Sequence, residues 1–189
     1  MITDKKDLKI YLHEDAKRNG IKGFVDYIVK LKILNHENAQ AYQYIKTLRF
    51  CEYHLNKGKL HVPLYYISRI KLLRLGSRYH IQIPLNCAGY GLRIMHLSGG
   101  GGVILNAKKI GNYCGFNAGV LIGNVGSQEN RPTIGDYVAF GPGAKAFGNL
   151  EIGNNVFVAP NAVVTKNVPN NTIVGGIPAT IIKNKPQIE

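Results

Sequence analysis

Apolar residues recur at six-residue intervals through the second half of the chain. Counted in steps of six from Ile104, ten of eleven positions are apolar, whereas an apolar content of 45% would give about five. The positions are Ile104, Ile110, Phe116, Ile122, Gln128, Ile134, Phe140, Ala146, Ile152, Val158 and Val164. Neither the 3.6-residue period of a helix nor strict alternation produces this spacing. It is typical of a hexapeptide β-helix, in which each hexad forms one short strand and three hexads close one triangular coil.

Residues eighteen apart are then expected to stack on consecutive coils. We predict Ile134 over Ile152, Phe140 over Val158 and Ala146 over Val164, with room for about five coils between residues 81 and 173. The glycine run at 98–102 and the polar stretch at 126–133 interrupt the period. Both are predicted to be loops, which is where function tends to lie on a rigid repeat.

Up to about residue 80 the apolar spacing is helical. Helices are predicted over residues 4–18, 23–32 and 36–57, the last capped by Asn35, and a fourth runs from Pro63 to Leu75, before Gly76. The predicted fold is mainly β with α: a helical region over 1–80, then a left-handed parallel β-helix over 81–189.

The net charge of +13 lies mostly in the helical region, where residues 1–80 carry +9 and residues 81–189 carry +4. Such a field attracts polyanions without identifying one. Tyrosines alternate with lysines and arginines in the last two predicted helices, which we interpret as packed aromatics beside a solvated face, with no specific nucleic-acid binding expected.

Targeting and redox signals are weak. No stretch approaches the roughly 18 apolar residues of a membrane span, and the charged start MITDKKDLK differs from a signal peptide, so a cytoplasmic protein without an integral membrane segment is expected. The cysteines, Cys51, Cys87 and Cys114, are odd in number and form no CxxC pair. They are predicted to be buried thiols rather than a disulfide framework or a zinc site.

The end of the repeat carries a recognisable motif. The segment VVTKNVP at 163–169, followed by IVGGIPA at 173–179, resembles the closing coil of the left-handed β-helix acyltransferases, the hexapeptide-repeat acetyltransferase superfamily. With GLRIMH at 91–96 and the helical front end, the chain is similar to the serine acetyltransferase branch, and especially to its relatives in surface-polysaccharide gene clusters. The resemblance implies a homotrimer that uses acetyl-CoA as co-substrate, and no metal is expected.

The resemblance also implies site residues. His96 aligns with the general base, which would take the proton of the attacking hydroxyl. The residues implied for acetyl-CoA are Gly123, Asn124, Pro142, Pro160, Thr165, Lys166 and Lys183. For the acceptor they are Met95, Asn130 and Arg131.

The chain departs from the serine-specific pattern at the acidic positions. Aspartates of that branch fall where this chain has Ile81 and Met95, and the Arg-His pair for the carboxylate of serine is reduced to Arg131, one place late. A site without these charges would bind a zwitterion poorly. The sequence therefore predicts an O-acetyltransferase acting on a sugar hydroxyl of a surface polysaccharide or its precursor.

Other functions remain open at this point. A serine O-acetyltransferase of cysteine synthesis is the nearest alternative, and a non-catalytic β-helix scaffold, which would not bind acetyl-CoA, is the alternative of another class. A metalloenzyme of this fold would need about three histidines on adjacent coils. The repeat contains only His96.

Overall fold

The computed structural model describes residues 1–187 and begins with a helical region. Its elements are α1 Lys5–Arg18, α2 Phe24–Ile28 with a following π-helical turn Val29–Ile33, α3 Glu37–Asn56, a 3-10 turn Lys59–His61, and α4 Val62–Tyr79. Asp4 caps α1 by accepting hydrogen bonds from the amides of Lys6 and Asp7. Four helices occur where the apolar spacing predicts them.

Two helix boundaries differ from the prediction. His36 rather than Asn35 caps α3, because its imidazole Nδ1 accepts the amide of Asn38 at 3.2 Å. The other helix, α4, continues past Gly76 to Tyr79. A Cβ on Gly76 would lie 2.8 Å from the carbonyl oxygen of Ile81. This glycine therefore allows the helix to approach the first strand and does not end it.

The rest of the described chain is a parallel β-helix of three sheets. The strands are β1 Ile81–Gln82, β2 Arg93–Met95, β3 Val103–Leu105, β4 Lys109–Ile110, β5 Gly115–Asn117, β6 Leu121–Gly123, β7 Thr133–Ile134, β8 Ala139–Phe140, β9 Lys145–Phe147, β10 Glu151–Ile152, β11 Phe157–Val158, β12 Val163–Val164, β13 Thr172–Gly175 and β14 Thr180–Asn184. Sheet A has the order β1-β3-β6-β9-β12, sheet B β10-β7-β4, and sheet C β14-β13-β11-β8-β5-β2. The chain visits A, B and C in turn, once per coil.

The predicted stacking of the core is confirmed in the later coils. Ile134 pairs with Ile152, Phe140 with Val158, and Ala146 with Val164. These side chains are 0–2% exposed. The rings of Phe116 and Phe140 stack inside the helix with centroids 5.4 Å apart.

The predicted phase is wrong at the two interruptions. Ile104 is half-buried, whereas its neighbours Val103 and Leu105 are buried, because five residues rather than six separate the inward Leu105 from the inward Ile110. Leu105 is therefore the residue that pairs with Ile122. Gln128 lies in the loop between β6 and β7 and belongs to no strand.

Amide and carboxylate side chains line the corner between sheets B and C. The backbone amide of Asn112 donates to Asp136 Oδ1 at 2.6 Å, and that of Asp136 donates to Asn154 Oδ1 at 2.7 Å. The amide of Asn154 in turn donates to Asn170 Oδ1 at 2.6 Å. Each coil thus satisfies a corner amide of the coil before it.

Both ends of the stack are covered. At the first coil, buried residues of α3 and α4 join the core of the β-helix in one continuous cluster. At the last coil, β14 pairs with β13 in the antiparallel direction. The amide of Val163 donates to the carbonyl of Gly176, and that of Ala179 donates to the carbonyl of Val163, so the tail also lies along β12. In residues 1–187, no helix combines the length and apolarity needed to cross a bilayer.

Candidate active site

His96 occupies the corner between sheets C and A in the first coil, directly after β2. Its side chain is 67% exposed. The register of sheet C, in which Ile94 pairs with Phe116, Phe116 with Phe140 and Phe140 with Val158, places Pro142 and Pro160 below it on the same edge. Two of the residues implied for acetyl-CoA therefore share an edge with the implied base.

The corner at His96 is built differently from those below it. His96 has a left-handed backbone, φ 60°, two residues after the inward Ile94. In the next two coils the left-handed residue, Gly119 or Gly143, comes three residues after the inward phenylalanine. A 3-10 turn Leu97–Gly99 follows, in which Leu97 packs against the core and Ser98 is exposed. The chain meets the corner of the next coil at Gly101, where a Cβ would lie 3.2 Å from Gly119 Cα. This corner is longer than the corners at Gly119 and Gly143, and both His96 and Ser98 are exposed on it.

A carboxylate from the helical region reaches this corner. Glu37, the first residue of α3, has Oε1 3.7 Å from His96 Nδ1. Its Oε2 accepts hydrogen bonds from the hydroxyl of Ser98 at 2.7 Å and from the amide of Ser98 at 3.3 Å. The Ser98 hydroxyl is the main cause that holds the pKa of Glu37 below its usual value, while partial burial opposes it. Glu37 is therefore an ionised carboxylate at neutral pH.

Four of the residues implied for acetyl-CoA lie at a different corner, between sheets A and B. Gly123 ends β6 and Asn124 follows it. The amide of Gly148 donates to the carbonyl of Gly123, and Asn124 Oδ1 accepts from the side-chain amide of Asn106. Thr165 and Lys166 follow β12 and are exposed. Lys183 is exposed on β14 in sheet C. A single chain does not bring these residues beside His96.

The residues implied for the acceptor are also divided. Met95 precedes His96 in β2, is half-buried and pairs with Asn117. Asn130 and Arg131 lie in the loop between β6 and β7, which Asn130 closes by donating from its side-chain amide to the carbonyl of Val125 at 3.2 Å. Of the three, only Met95 adjoins His96 within one chain.

Comparison with known proteins finds serine acetyltransferases, although no protein-family model matches the chain. The chain is 32% identical over 181 residues to the serine acetyltransferase of Buchnera aphidicola, covering 94% of this chain and 60% of that protein. It is 31% identical over 179 residues to the serine acetyltransferase of Synechococcus elongatus, covering 93% of this chain and 66% of that protein. The chain thus spans between about 60% and 66% of these relatives' length.

Solved structures give the same result for the architecture. The soybean serine acetyltransferase apoenzyme superposes with a TM-score of 0.72 at 23% identity, covering 94% of this chain and 70% of that one. The enzyme from Brucella abortus gives 0.70 at 21% identity, covering 96% and 71%. The chain has the serine acetyltransferase fold. The predicted fold class, a helical region followed by a β-helix, is thereby confirmed.

The comparisons overturn the predicted glycan acceptor. The relatives similar to this chain over most of its length are named serine acetyltransferases, and a resemblance to polysaccharide O-acetyltransferases is not supported. The prediction was wrong because it sought acidic partners for His96 only at positions 81 and 95, the places fixed by local spacing. The carboxylate that lies near His96 belongs to Glu37 of α3, 59 residues earlier in the chain.

Proposed function

We propose that this chain transfers the acetyl group of acetyl-CoA to the hydroxyl of L-serine, with His96 as general base. The observation that carries the proposal is the pairing of an exposed imidazole with an ionised carboxylate at one edge of the β-helix. Similarity to serine acetyltransferases over more than nine-tenths of the chain supports the reaction class. One neighbour of this fold, from Neisseria gonorrhoeae, was solved in complex with serine.

The proposed reaction is a direct transfer. His96 removes the proton of the serine hydroxyl as its oxygen attacks the thioester carbonyl, and the C–S bond breaks to release CoA thiolate. The thiolate then takes the proton held by the imidazole. An acceptor hydroxyl is a weak nucleophile near neutral pH, so a base within hydrogen-bond reach is needed.

Acetyl-CoA would lie along the edge that holds His96, Pro142 and Pro160. One Brucella abortus neighbour was solved in complex with coenzyme A. The prolines are exposed and can offer only carbonyl and van der Waals contacts. Lys166 and Lys183 are exposed cations suited to the CoA phosphates, and Gly123, Asn124 and Thr165 line the corner beside Lys166.

The division of these residues between two corners of sheet A supports a homotrimer with shared sites. Neighbouring copies would place one chain's His96 edge against another chain's A–B corner. Asn130 and Arg131 would then reach the carboxylate of serine from the neighbouring copy. Cyclic closure satisfies such head-to-tail contacts without leaving an open surface.

The test is thiol release from acetyl-CoA by the purified protein with L-serine as acceptor. We expect His96→Ala to lower turnover by about 10²- to 10⁴-fold, the usual contribution of a general base. His13→Ala is the matched control, because His13 is 73% exposed on α1. Serine-independent thiol release, or full activity of His96→Ala, would refute the proposal.

A further inference from the structure

Glu37 and His96 meet across the boundary between the helical region and the β-helix. We propose that Glu37 is a positioning residue for His96, fixing the imidazole tautomer that can act as a base. The inference rests on the proposed function and extends it to a residue outside the β-helix. It stands on the contacts of the two carboxylate oxygens, one toward the His96 ring and one toward Ser98.

The position of Glu37 is set by the helix that carries it. Ala41, Ile45 and Leu48 of α3 are fully buried in the core shared with the β-helix, so the helix is held firmly against the first coil. His36 caps the helix immediately before Glu37. A carboxylate in the first turn of a helix is also stabilised by the partial positive charge of that end. The fold therefore presents a fixed, ionised group to the catalytic corner.

Ser98 links Glu37 to the segment that holds His96. Residues 98–101 are exposed, and three of them are glycines with high backbone freedom. The two hydrogen bonds from Ser98 to Glu37 Oε2 attach this segment to α3. The same carboxylate thus restrains the turn after His96 and faces the ring of His96.

The chemistry follows from which ring nitrogen faces the carboxylate. Glu37 lies beside Nδ1, and an acceptor there favours the tautomer with the proton on Nδ1. The lone pair of Nε2 is then free to take the acceptor proton. Once that proton is on Nε2, the imidazolium is stabilised by the nearby negative charge, and the 3.7 Å separation can shorten to a hydrogen bond. The proton on Nδ1 stays there throughout.

Kinetics provide the first arm of the test. Glu37→Gln keeps an oxygen acceptor for Ser98 but removes the charge. We expect it to lower kcat by about 10²-fold, with the KM for acetyl-CoA unchanged, as expected for a misplaced catalytic group. Glu37→Asp, which keeps the charge on a shorter side chain, should recover part of this loss. Glu151→Gln, an exposed carboxylate on β10, is the matched control and should behave as wild type.

The second arm needs no turnover. Imidazole ¹⁵N chemical shifts distinguish the two neutral tautomers, and His96→Ala assigns the signal. We expect the Nδ1–H form in the wild type and a shift toward the Nε2–H form in Glu37→Gln. A lost structural contact alone would not reverse the tautomer. Unchanged tautomer populations in folded Glu37→Gln would overturn the inference, whereas an Nδ1–H signal dependent on Glu37 supports it even in a protein that does not acetylate serine.

Discussion

Arg49 of α3 forms a fully buried ion pair with Asp15 of α1. The distance from Arg49 Nε to Asp15 Oδ2 is 2.8 Å, and neither side chain is exposed. The guanidinium also donates to the carbonyls of Ala88 and Gly89, at 2.9 and 2.6 Å, and to Glu52 at 3.1 Å. One side chain therefore joins two helices to the first coil, at Gly89, which lies seven residues before His96.

We predict that Arg49→Met strongly destabilises the protein. Removing the cation leaves two buried carboxylates uncompensated, which typically costs about 3–5 kcal/mol. Urea denaturation followed by circular dichroism measures the change. Arg74→Met, an exposed arginine of α4, is the control and should change stability by less than about 0.5 kcal/mol. Equal stability of the two variants would contradict the proposed role of Arg49.

We predict that replacing Phe140 also strongly destabilises the protein. Its ring is fully buried and stacks on Phe116 inside the β-helix. Because a parallel stack of coils relaxes little around a cavity, Phe140→Ala is expected to cost about 3–5 kcal/mol. Phe24→Ala provides the comparison, since Phe24 is 75% exposed on α2. If Phe140→Ala lowers the free energy of unfolding no more than Phe24→Ala does, the core can collapse around the missing ring.

The hydrogen bonds that link the corners between sheets B and C can be tested at Asn154. Asn154→Ala removes the oxygen that accepts the backbone amide of Asp136. We expect a loss of about 1 kcal/mol, the usual net contribution of one hydrogen bond. The control is Asn149→Ala, an exposed asparagine at another corner. Thermal unfolding should give a lower melting temperature for Asn154→Ala than for Asn149→Ala. Identical melting temperatures would show that water replaces the hydrogen bond of the Asp136 amide without loss of stability.

The cysteines are predicted to be unreactive in the native protein. Burial raises the pKa of Cys87 to about 11 and that of Cys114 to about 12, and Cys51 is also buried with its pKa raised. At pH 8 the thiolate needed for disulfide exchange is scarce, so all three should react with a thiol reagent only after unfolding in urea. Rapid reaction of the native protein at pH 8 would contradict this.

The same pKa values predict how stability depends on pH. A raised pKa in the folded state stabilises the fold below the ordinary thiol pKa of about 8.5, and this contribution is lost as the pH rises through the folded value. Stability should therefore fall between about pH 9 and pH 12. The slope should lessen when Cys114, with the more strongly raised pKa, is replaced by alanine. An unchanged slope would assign the effect to other groups.

The repeat could be predicted from the sequence because each of its strands is specified by local spacing. Ile134, Ile152 and their equivalents pair as their eighteen-residue separation requires. The predicted phase was wrong at Val103–Leu105, where three consecutive apolar residues offer no alternation and the corner that follows is one residue shorter than the six-residue period requires. The role of Gly76 was predicted wrongly, because apolar spacing does not show that the chain turns back after α4 and places the carbonyl oxygen of Ile81 against this glycine.

The candidate site was predictable only in part, for the same reason. His96 belongs to a short local motif. Its carboxylate does not, since Glu37 is brought to it by the docking of α3 on the first coil. The helix predicted to begin at residue 36, after a cap at Asn35, places Glu37 in its first turn. No spacing along the chain connects that turn to residue 96. Long-range contacts of this kind arise from packing and are invisible to periodicity.

The hairpin of β13 and β14 also affects how copies of the protein can meet. An open end of parallel strands presents backbone groups to which a further strand from any chain could add, which is how fibrils elongate. Here the last strand of sheet C is taken by a strand running the opposite way, and β12 is bonded to the tail. In residues 1–187, β12 and β13, the last parallel strands of sheets A and C, therefore have no free edge at this end to which a parallel strand of a second molecule could add. The tail that closes the repeat thus also blocks two of the edges through which copies could polymerise.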